Sequence, residues 1–310
     1  MQAYKKTFDD LKAEMAKVIV GQDEVVDQIL VALLTNSNAL LEGYPGVAKT
    51  LTVRTMARLM DLKFSRIQHT PDLMPSDVIG TYVIEENSGK REFRFHPGPI
   101  FANVVLADEI NRATPKTQSA LLEAMQEKQV TVGNSTFKLD EPFFVLATMN
   151  PIEQEGTYPL PEAQADRFLL KIKVGYPSYQ EEMEIVNRYG AELKDRRVRV
   201  VLDKAQLIAL QDLTRQVPIA SDLKERIVKI ISKSRSFELL SYGASPRASI
   251  GLILACKARA LIDGRNHVSA EDIQKMAYPI LRHRIILNFE AERKGMTTDD
   301  AITQLLEKTK

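Results

Sequence analysis

Short apolar runs that end in turn residues alternate with helical patterns over the first half of the chain. Buried strands are predicted at residues 39–41, 104–107 and 143–147, and a further strand is predicted to begin at Phe168. Residues 50–60 carry apolar side chains at the spacing of one helix face. Strands that alternate with helices indicate βαβ units, so the pattern predicts an α/β fold with a mostly parallel sheet.

Two segments alternate apolar and polar residues with a period of two and do not fit a plain α/β sheet. They are residues 77–95, around Asn87-Ser88-Gly89, and residues 129–139, around Gly133-Asn134. Each is predicted to form a hairpin, because turn residues stand between two alternating runs. Ordinary surface hairpins would give the same pattern.

Strand patterns stop near Tyr176-Pro177, and helical stretches follow. The predicted helices cover residues 178–188, 204–216, 222–237, 245–262 and 269–283. Ser269 and Asp272 have the spacing of a capping box at the start of the last helix. We therefore predict a domain boundary near Gly175, between an α/β domain of residues 1–175 and an all-helical domain of residues 176–310.

The composition favours a globular protein without preference for a charged partner. Of the 310 residues 44% are hydrophobic, and 42 basic side chains balance 41 acidic ones, for a net charge of +1. This balance gives no electrostatic reason to expect nucleic acid or a membrane surface as the main partner. No apolar run reaches the ~18 residues of a membrane span. The single cysteine, Cys256, suits a reducing cytoplasm and is expected to be a buried small side chain rather than a reactive thiol.

A glycine-rich segment between a predicted strand and a predicted helix has the pattern of a phosphate-binding loop. It reads Gly43-Tyr44-Pro45-Gly46-Val47-Ala48-Lys49-Thr50 and is followed by Leu51. In such a loop the backbone N–H groups surround the phosphates, Lys49 supplies a charge to the β- and γ-phosphates, and the Thr50 hydroxyl reaches Mg²⁺. Ala48 departs from the general pattern, which has a second glycine there, and alanine adopts a positive φ only at a cost. A glycine turn that merely opens a helix is the alternative.

Two carboxylates, Asp108 and Glu109, directly follow the apolar run at residues 104–107. Because the carboxyl ends of parallel strands share one edge of a sheet, Asp108 would stand beside the loop and hold Mg²⁺, directly or through water. Glu109 would then be the base that orients the attacking water. An isolated pair of acids is more often a solvated turn, but the loop makes the catalytic interpretation the stronger one.

Three further residues are candidates with weaker individual signals. Asn150 follows a predicted strand and could hydrogen-bond the γ-phosphate and the water, although an Asn-Pro pair also initiates turns. Arg167 could stabilise transition-state charge in a neighbouring subunit, or it could simply pair with Asp166 at the surface. Arg247 lies in the first turn of a helix with Ser245 as its predicted N-cap, where a cation opposes the helix dipole. A bound phosphate would explain that unfavourable position.

In this order, these segments resemble the MoxR family of AAA+ ATPases. The segments that carry the resemblance are Gly43–Thr50, Leu106–Ala113, Ala147–Pro151, Leu160–Phe168 and Ser245–Ala248. Alanine at position 48 is similar to the family's own loop, and the resemblance covers essentially the whole chain. It implies a doubly wound parallel sheet in the order 5-1-4-3-2, a C-terminal helical lid, and assembly into a ring that is usually a hexamer.

The resemblance also implies roles for individual residues. It makes Asn150 the sensor-1 residue, Arg167 an arginine finger and Arg247 the sensor-2 residue, and it leaves open whether Arg247 acts within its own subunit. Val20 and Gly21 are similar to a segment that packs near adenine.

The two predicted hairpins also have counterparts in the family. Residues 77–95 resemble the helix-2 insert, and residues 129–139 resemble the pre-sensor-1 hairpin. ATP and Mg²⁺ are the cofactors that the resemblance implies.

The favoured function is a Mg²⁺-dependent ATPase that remodels or matures a protein client. Family members act as chaperone-like machines, often beside partners that carry a von Willebrand factor A domain. A DNA-directed or metal-chelatase-type motor is the alternative, because related insert-bearing rings act on nucleic acid. The net charge weighs against nucleic acid, whereas Lys90, Arg91 and Arg94 near the insert tip keep that alternative open. A nucleotide-gated scaffold without turnover is disfavoured because Glu109 is intact.

Overall fold

The computed structural model of the chain describes residues 2–87, 90–152, 157–190 and 197–309. The strands are β1 (Ala39–Gly43), β2 (Phe64–Gln68), β3 (Gly80–Asn87), β4 (Lys90–Pro97), β5 (Val104–Asp108), β6 (Gln129–Val132), β7 (Ser135–Lys138), β8 (Phe144–Met149), β9 (Leu170–Val174), β10 (Leu240–Tyr242) and β11 (Ile286–Leu287). The α-helices are α1 (Gln2–Ala16), α2 (Asp23–Leu34), α3 (Lys49–Leu59), α4 (Pro75–Ile79), α5 (Pro115–Glu127), α6 (Glu162–Ala165), α7 (Tyr179–Tyr189), α8 (Lys204–Gln216), α9 (Ser221–Ser234), α10 (Pro246–Ile262), α11 (Ala270–Leu281), α12 (Phe289–Arg293) and α13 (Thr298–Glu307). Within these ranges every helix is too short or too polar to cross a bilayer.

Five parallel strands form the central sheet in the order β2-β5-β8-β1-β9. When these five strands are numbered from first to fifth along the chain, the order is 2-3-4-1-5. This is the predicted order 5-1-4-3-2 seen from the other side, and the predicted fold class is confirmed. The chain crosses from β1 to the far edge strand β2 and later returns to the other side of β1 as β9. The carboxyl end of β1 therefore lies where open α/β sheets bind their ligands.

Both faces of the sheet are buried, as continuous apolar strands require. In β5, Val104 and Leu106 belong to one hydrophobic core, and Val105 and Ala107 belong to a second core on the opposite face. The first core continues through α1 and α2 into α8, α9, α10, α11 and α13. The predicted boundary near Gly175 falls between β9 and α7, and the hydrophobic core continues across it.

From Phe168 onward the structure differs from the sequence prediction in three details. Strand β9 begins at Leu170 rather than at Phe168, because Phe168 closes the turn after α6 by donating its N–H to the Ala165 carbonyl. A short antiparallel ribbon joins β10 to β11, where the pattern predicts helices alone. Strands this short carry too few residues to show a period. Helices α12 and α13 also lie beyond the predicted ones.

Both alternating segments form antiparallel hairpins, β3 with β4 and β6 with β7. Ser88 and Gly89 of the first predicted turn lie outside the described residues. The hairpins contact each other through aromatic rings, since Phe95 of β4 stacks on Phe137 of β7 with centroids 4.1 Å apart. Phe101 packs edge-on against both rings. The two hairpins are therefore packed together as one unit.

The predicted capping box at the start of α11 is present and belongs to a larger charge cluster. The Ser269 N–H donates to Asp272 Oδ2 at 2.8 Å. Arg259 and Arg265 each donate to Asp272 Oδ1 at 2.6 Å, and the Asp272 side chain is fully buried. Burial by itself would raise the pKa of Asp272, but the hydrogen bonds from Arg265, Ser269 and Arg259 together lower it.

Asp272→Ala is expected to lower the free energy of unfolding by about 3 kcal/mol, because two arginines lose a buried partner. Urea denaturation at pH 7 measures this loss. The matched control is Asp263→Ala, which removes a more exposed partner of the same arginines and should cost less than about 1 kcal/mol. Because the folded pKa of Asp272 is lowered, its contribution is present above the unfolded pKa and disappears as the pH falls through the folded pKa. Equal losses in the two variants would contradict the prediction.

Candidate nucleotide-binding site

The segment from Gly43 to Thr50 connects the carboxyl end of β1 to the first turn of α3. Gly46 has a φ of 84° and Ala48 a φ of 59°, and α3 begins directly after Ala48. Ala48 therefore adopts the left-handed conformation for which glycine is usual. Alanine in place of the usual glycine therefore keeps the backbone conformation of a phosphate-binding loop, at a conformational strain of about 1 kcal/mol.

Lys49 and Tyr44 fix the shape of this loop. Lys49 Nζ donates to the carbonyl oxygens of Gly43 at 2.5 Å and of Tyr44 at 2.8 Å, so the ammonium group lies over the start of the loop. The Tyr44 ring stacks on Tyr176, with centroids 4.7 Å apart and planes 11° from parallel. Tyr176 lies between β9 and α7, so the loop is tied to the beginning of the helical region.

A mostly apolar cavity of 510 Å³ lies between the loop and the helical region. Val20, Val47 and Leu51 line one side of it, and Pro177 and Ile185 line another. An apolar cavity of this size next to a phosphate-binding loop can hold a purine base. The predicted adenine-proximal segment is therefore in contact with a suitable cavity.

Gly21 and Gln22 hold this segment in position. Gly21 has a φ of 65°, which favours glycine, and a Cβ atom there would lie 2.0 Å from the present position of Glu181 Oε1 of α7, so a larger residue would have to displace that carboxylate. Gln22 also has a positive φ, and its Nε2 donates to the Val47 carbonyl at 3.0 Å. The segment before α2 is thereby bonded to the loop and lies against α7.

Asp108 ends β5 at the same edge of the sheet and is held by both neighbouring strands. Its Oδ1 accepts from Thr148 Oγ1 of β8 at 2.5 Å. Its Oδ2 accepts from Arg66 of β2, at 3.0 Å from Nε and 2.6 Å from Nη2. Thr148 Oγ1 also accepts from the Glu109 N–H at 2.9 Å, so one hydroxyl orients both acidic residues.

Glu109 follows in a left-handed conformation, with a φ of 55°. Such strain in a residue with a side chain is common at functional sites. Its Oε2 accepts from Gln68 Nε2 of β2 at 2.8 Å and lies 3.3 Å from Arg112 Nε. Gln68 Oε1 in turn accepts from Arg66 Nη2 at 2.5 Å. A single polar network therefore joins both carboxylates to the edge strand.

Asn150 immediately follows β8 and lies at this same edge. In this structure its Oδ1 accepts from the Ile152 N–H at 3.2 Å. The side chain thus makes the local turn that is the alternative interpretation of the Asn-Pro pair. Because β8 pairs with β5, Asn150 follows the carboxyl end of the strand next to the one that ends in Asp108.

Arg167 lies at the opposite end of the sheet, where the strands begin. Strand β9 pairs in parallel with β1 from Ala39–Leu170 to Gly43–Val174. Arg167 precedes Leu170 by three residues, and five-residue strands separate the two edges by about 13 Å. The Arg167 side chain donates to Gln126 Oε1 near the end of α5. Within one chain, Arg167 and the phosphate loop are therefore far apart.

Arg247 is found beside Asp166, the residue before Arg167, rather than beside the loop. Arg247 Nη1 is 3.5 Å from Asp166 Oδ2, and Ser245 Oγ donates to the same oxygen at 3.3 Å. Ser245 is the N-cap residue of α10, as predicted, but its hydroxyl bonds Asp166 instead of capping the helix. The Asp166 carboxylate therefore lies close to the guanidinium group of Arg247, whose positive charge is unfavourable at the N-terminus of α10.

Comparison with known proteins agrees with this geometry. Residues 38–170 match the family described as ATPase family associated with various cellular activities (AAA), and residues 232–305 match the AAA lid domain. The chain is 45% identical over 303 residues to Chaperone MoxR1 of Mycobacterium tuberculosis, an alignment that covers 95% of this chain and 79% of that protein. The chain belongs to the MoxR family of AAA+ ATPases.

Two further similarities support the assignment to the MoxR family. Uncharacterized protein YeaC of Bacillus subtilis is 45% identical over 294 residues, which cover 95% of this chain and 91% of that protein. The crystal structure of a candidate ATPase from Cytophaga hutchinsonii superimposes with a TM-score of 0.91 at 44% identity. That alignment covers 99% of this chain and 95% of that one.

Sequence reasoning missed three residues of this MoxR-family site, namely Arg66, Gln68 and Thr148. Arg66 and Gln68 stand at alternate positions of β2 and so lie on one face of that strand. Thr148 is a fully buried polar residue near the end of an otherwise apolar strand. Polar residues at the ends of strands next to Asp108 are the signal that could have identified them.

Ala48→Gly is expected to change the free energy of unfolding by less than about 1 kcal/mol, because relief of left-handed strain offsets the greater entropy of unfolded glycine. ATP affinity should stay at the wild-type value. The matched control is Ala57→Gly within α3, where the backbone is helical and the loss should be about 1 kcal/mol or more. Thermal unfolding and binding of a fluorescent ATP analogue measure the two effects. Equal destabilisation by the two substitutions would mean that Ala48 is not strained.

Proposed function

We propose that the chain is the subunit of a homo-oligomeric ring of six copies that hydrolyses ATP with Mg²⁺ at sites shared between neighbours. The observation that carries this proposal is the separation of Arg167 from the phosphate loop by the length of β1 and β9. One chain cannot bring the two together. Head-to-tail contact between copies would set the Arg167 edge of one subunit against the loop edge of the next, and such contacts close into rings.

In the proposed site, the loop from Gly43 to Thr50 surrounds the phosphates with its backbone N–H groups. Lys49 exchanges its two carbonyl acceptors for the β- and γ-phosphates. Val20 borders the cavity for the base, Gly21 directly follows it, and Gly46 and Ala48 supply the left-handed turns that shape the loop.

Thr50 and Asp108 form a donor set that fits Mg²⁺. Both offer oxygen atoms, and Mg²⁺ commonly takes one or two protein oxygens while it keeps several waters. A carboxylate has about four lone-pair sites. Thr148 uses one of them and Arg66 uses two, which leaves Oδ1 able to accept from a metal-bound water. Magnesium, when bound, would offset the negative charge that develops on the phosphates.

We assign Glu109 as the general base. Gln68 and Arg112 hold its Oε2 atom, and the remaining lone-pair sites of the carboxylate can accept a proton from the attacking water. Asn150 would exchange its turn hydrogen bond for one to the γ-phosphate or the water. Thr148 bonds both Asp108 and the Glu109 N–H, so it would hold the two acidic residues in the same relative position while Asn150 changes its partner.

Glu109→Gln is expected to bind ATP like the wild type while turnover falls by about two orders of magnitude or more, the usual scale for loss of base catalysis. Lys49→Ala should weaken ATP binding itself, because it removes a charge that contacts the ground-state phosphates. A coupled phosphate-release assay and ATP titration separate the two effects. Glu123→Gln, an exposed acid on α5, is the control for loss of charge. Near-normal turnover of Glu109→Gln would remove Glu109 from this role.

Arg167 and Arg247 are proposed to act on the site of the adjacent subunit. Their support is that both lie at the end of the sheet opposite the loop, since Arg167 directly follows Asp166 in the chain and Arg247 lies 3.5 Å from the Asp166 carboxylate. Arg167 needs only to leave Gln126 in order to extend from the surface. Two guanidinium groups from one neighbour would stabilise charge on the transferred phosphoryl group.

Arg167→Ala should bind ATP normally and lose about 10³-fold in turnover, the order found for arginines supplied by a neighbour. Mixing it with Lys49→Ala should restore activity, because some interfaces then combine an intact Lys49 with an intact Arg167. The control is a Lys49→Ala/Arg167→Ala double variant, which should restore nothing to either single variant. Specific activity of the wild type should rise with concentration as rings form. Wild-type turnover of Arg167→Ala would refute the shared site.

We further propose a chaperone-like role on a protein client in the cytoplasm, beside a partner with a von Willebrand factor A domain. The name of the Mycobacterium tuberculosis relative supports the chaperone role. The hairpin β3–β4 exposes Phe93 and Ile84 at 75% and 60%. Its arginines are paired with acids, Arg94 with Glu85 at 3.1 Å and Arg91 with Glu86 at 3.6 Å. Such a surface suits a polypeptide better than a nucleic-acid backbone, which draws on unpaired cations.

A further inference from the structure

Arg284 is a buried arginine that follows α11 and reaches into the segment before β9. Only 2% of its side chain is exposed. Its five hydrogen bonds go from Nε to Asp166 Oδ1 at 2.6 Å, from Nη1 to the Leu169 and Ile280 carbonyls at 2.9 and 2.6 Å, and from Nη2 to the Asp166 and Phe168 carbonyls at 3.1 and 2.6 Å. Every N–H of a guanidinium group has a partner here.

The acceptors of Arg284 lie on both sides of Arg167. Asp166 precedes it, Phe168 and Leu169 follow it, and the backbone carbonyl of each is bound by the same guanidinium group. A guanidinium group is a rigid planar fork, so its bonds fix the direction of the bound segment as well as its position. The Arg167 side chain itself points away to Gln126 at the surface. The Arg284 side chain, from the helical region, thus fixes the position and direction of the backbone that carries Arg167.

Asp166 extends this arrangement to Arg247. Its Oδ1 accepts from Arg284, and its Oδ2 accepts from Ser245 and Arg247 of the α10 N-terminus. Backbone contacts alone hold the amides of the segment, for example the Leu169 N–H on the Asn38 carbonyl. The carbonyls and the Asp166 side chain are held by the helical region. Arg247 and Arg284 therefore bind the same carboxylate, on the residue directly before Arg167.

We infer that Arg284 is a positioning residue for Arg167, and through it controls hydrolysis in the adjacent subunit. This inference rests on the proposed function, in which Arg167 completes a neighbour's site. The helical region of one subunit is then coupled to the phosphates bound by the next. A purely structural role for Arg284 would confine any defect to the subunit that carries the substitution.

Arg284→Lys is the variant that tests this inference, because lysine keeps the charge but presents three donors from one point and cannot satisfy five dispersed acceptors. ATP affinity should remain at the wild-type value. Turnover should fall on the order of 10²-fold, the scale for an ångström-sized displacement of a catalytic group. The matched control is Arg282→Lys, two residues away, whose guanidinium pairs with Asp299. That control should keep turnover within about twofold of wild type.

Mixing Arg284→Lys with Lys49→Ala distinguishes a positioning role of Arg284 from a purely structural one. Arg284→Lys mixed with Lys49→Ala should regain activity as far as Arg167→Ala mixed with Lys49→Ala does, because the Lys49→Ala subunit supplies an intact Arg167 on an intact frame. If only the Arg167→Ala mixture regains activity, Arg284 acts within its own subunit and the inference is wrong. If neither mixture does, the shared-site function itself fails. Wild-type turnover of Arg284→Lys would also overturn the inference.

Asp166→Asn provides a second route if Arg284→Lys does not fold. Asparagine keeps an acceptor for Arg284 Nε but removes the charge that both Arg284 and Arg247 face, so the frame loosens without a large change of volume. Turnover should fall at least about tenfold with unchanged ATP affinity. Activity should again return on mixing with Lys49→Ala. Turnover equal to wild type, or a defect that mixing does not relieve, would overturn the positioning role.

Discussion

The length of the parallel strands determines what one copy of this chain can do by itself. The loop, Asp108, Glu109 and Asn150 all follow the carboxyl end of a strand, while Arg167 precedes the amino end of β9. A parallel sheet keeps these two groups of residues on opposite edges. Under the proposed function, each copy therefore carries most of one site and a part of another. Hydrolysis then requires assembly, because the length of the sheet keeps Arg167 away from the phosphate-binding loop of its own chain.

Arginine–carboxylate pairs connect the candidate catalytic residues to elements distant in sequence. Asp108 joins β2, β5 and β8 through Arg66 and Thr148. Asp166 joins α10 and Arg284, three residues after the end of α11, to the segment before β9. In each case a planar guanidinium group fixes geometry as well as charge. Groups at either edge of the sheet thus depend on neighbouring elements for their orientation.

Features encoded within a few adjacent residues could be predicted from the sequence. The buried strands, the loop at Gly43 to Thr50, the two carboxylates after β5 and the capping box at Ser269 each need only a local pattern. Arg66, Gln68 and Thr148 escaped prediction because their partners lie 39 to 42 residues away and meet them only through the strand order. Arg284 meets Asp166 across 118 residues. The strand order itself came from family resemblance, since periodicity does not reveal which strands are neighbours.

The hydrophobic core that runs from α1 and α2 into α10 bears on how an assembly of these chains would deform. If the helical region swung away as a separate flap, that core would open, and each 100 Å² of exposed apolar surface would cost about 2.5 kcal/mol. The chain is therefore stiff across the point where its strands give way to helices. In an assembly, movement would occur mainly at the interfaces between copies. In the ring that we propose, mechanical work would then be transmitted by the tilting of whole subunits.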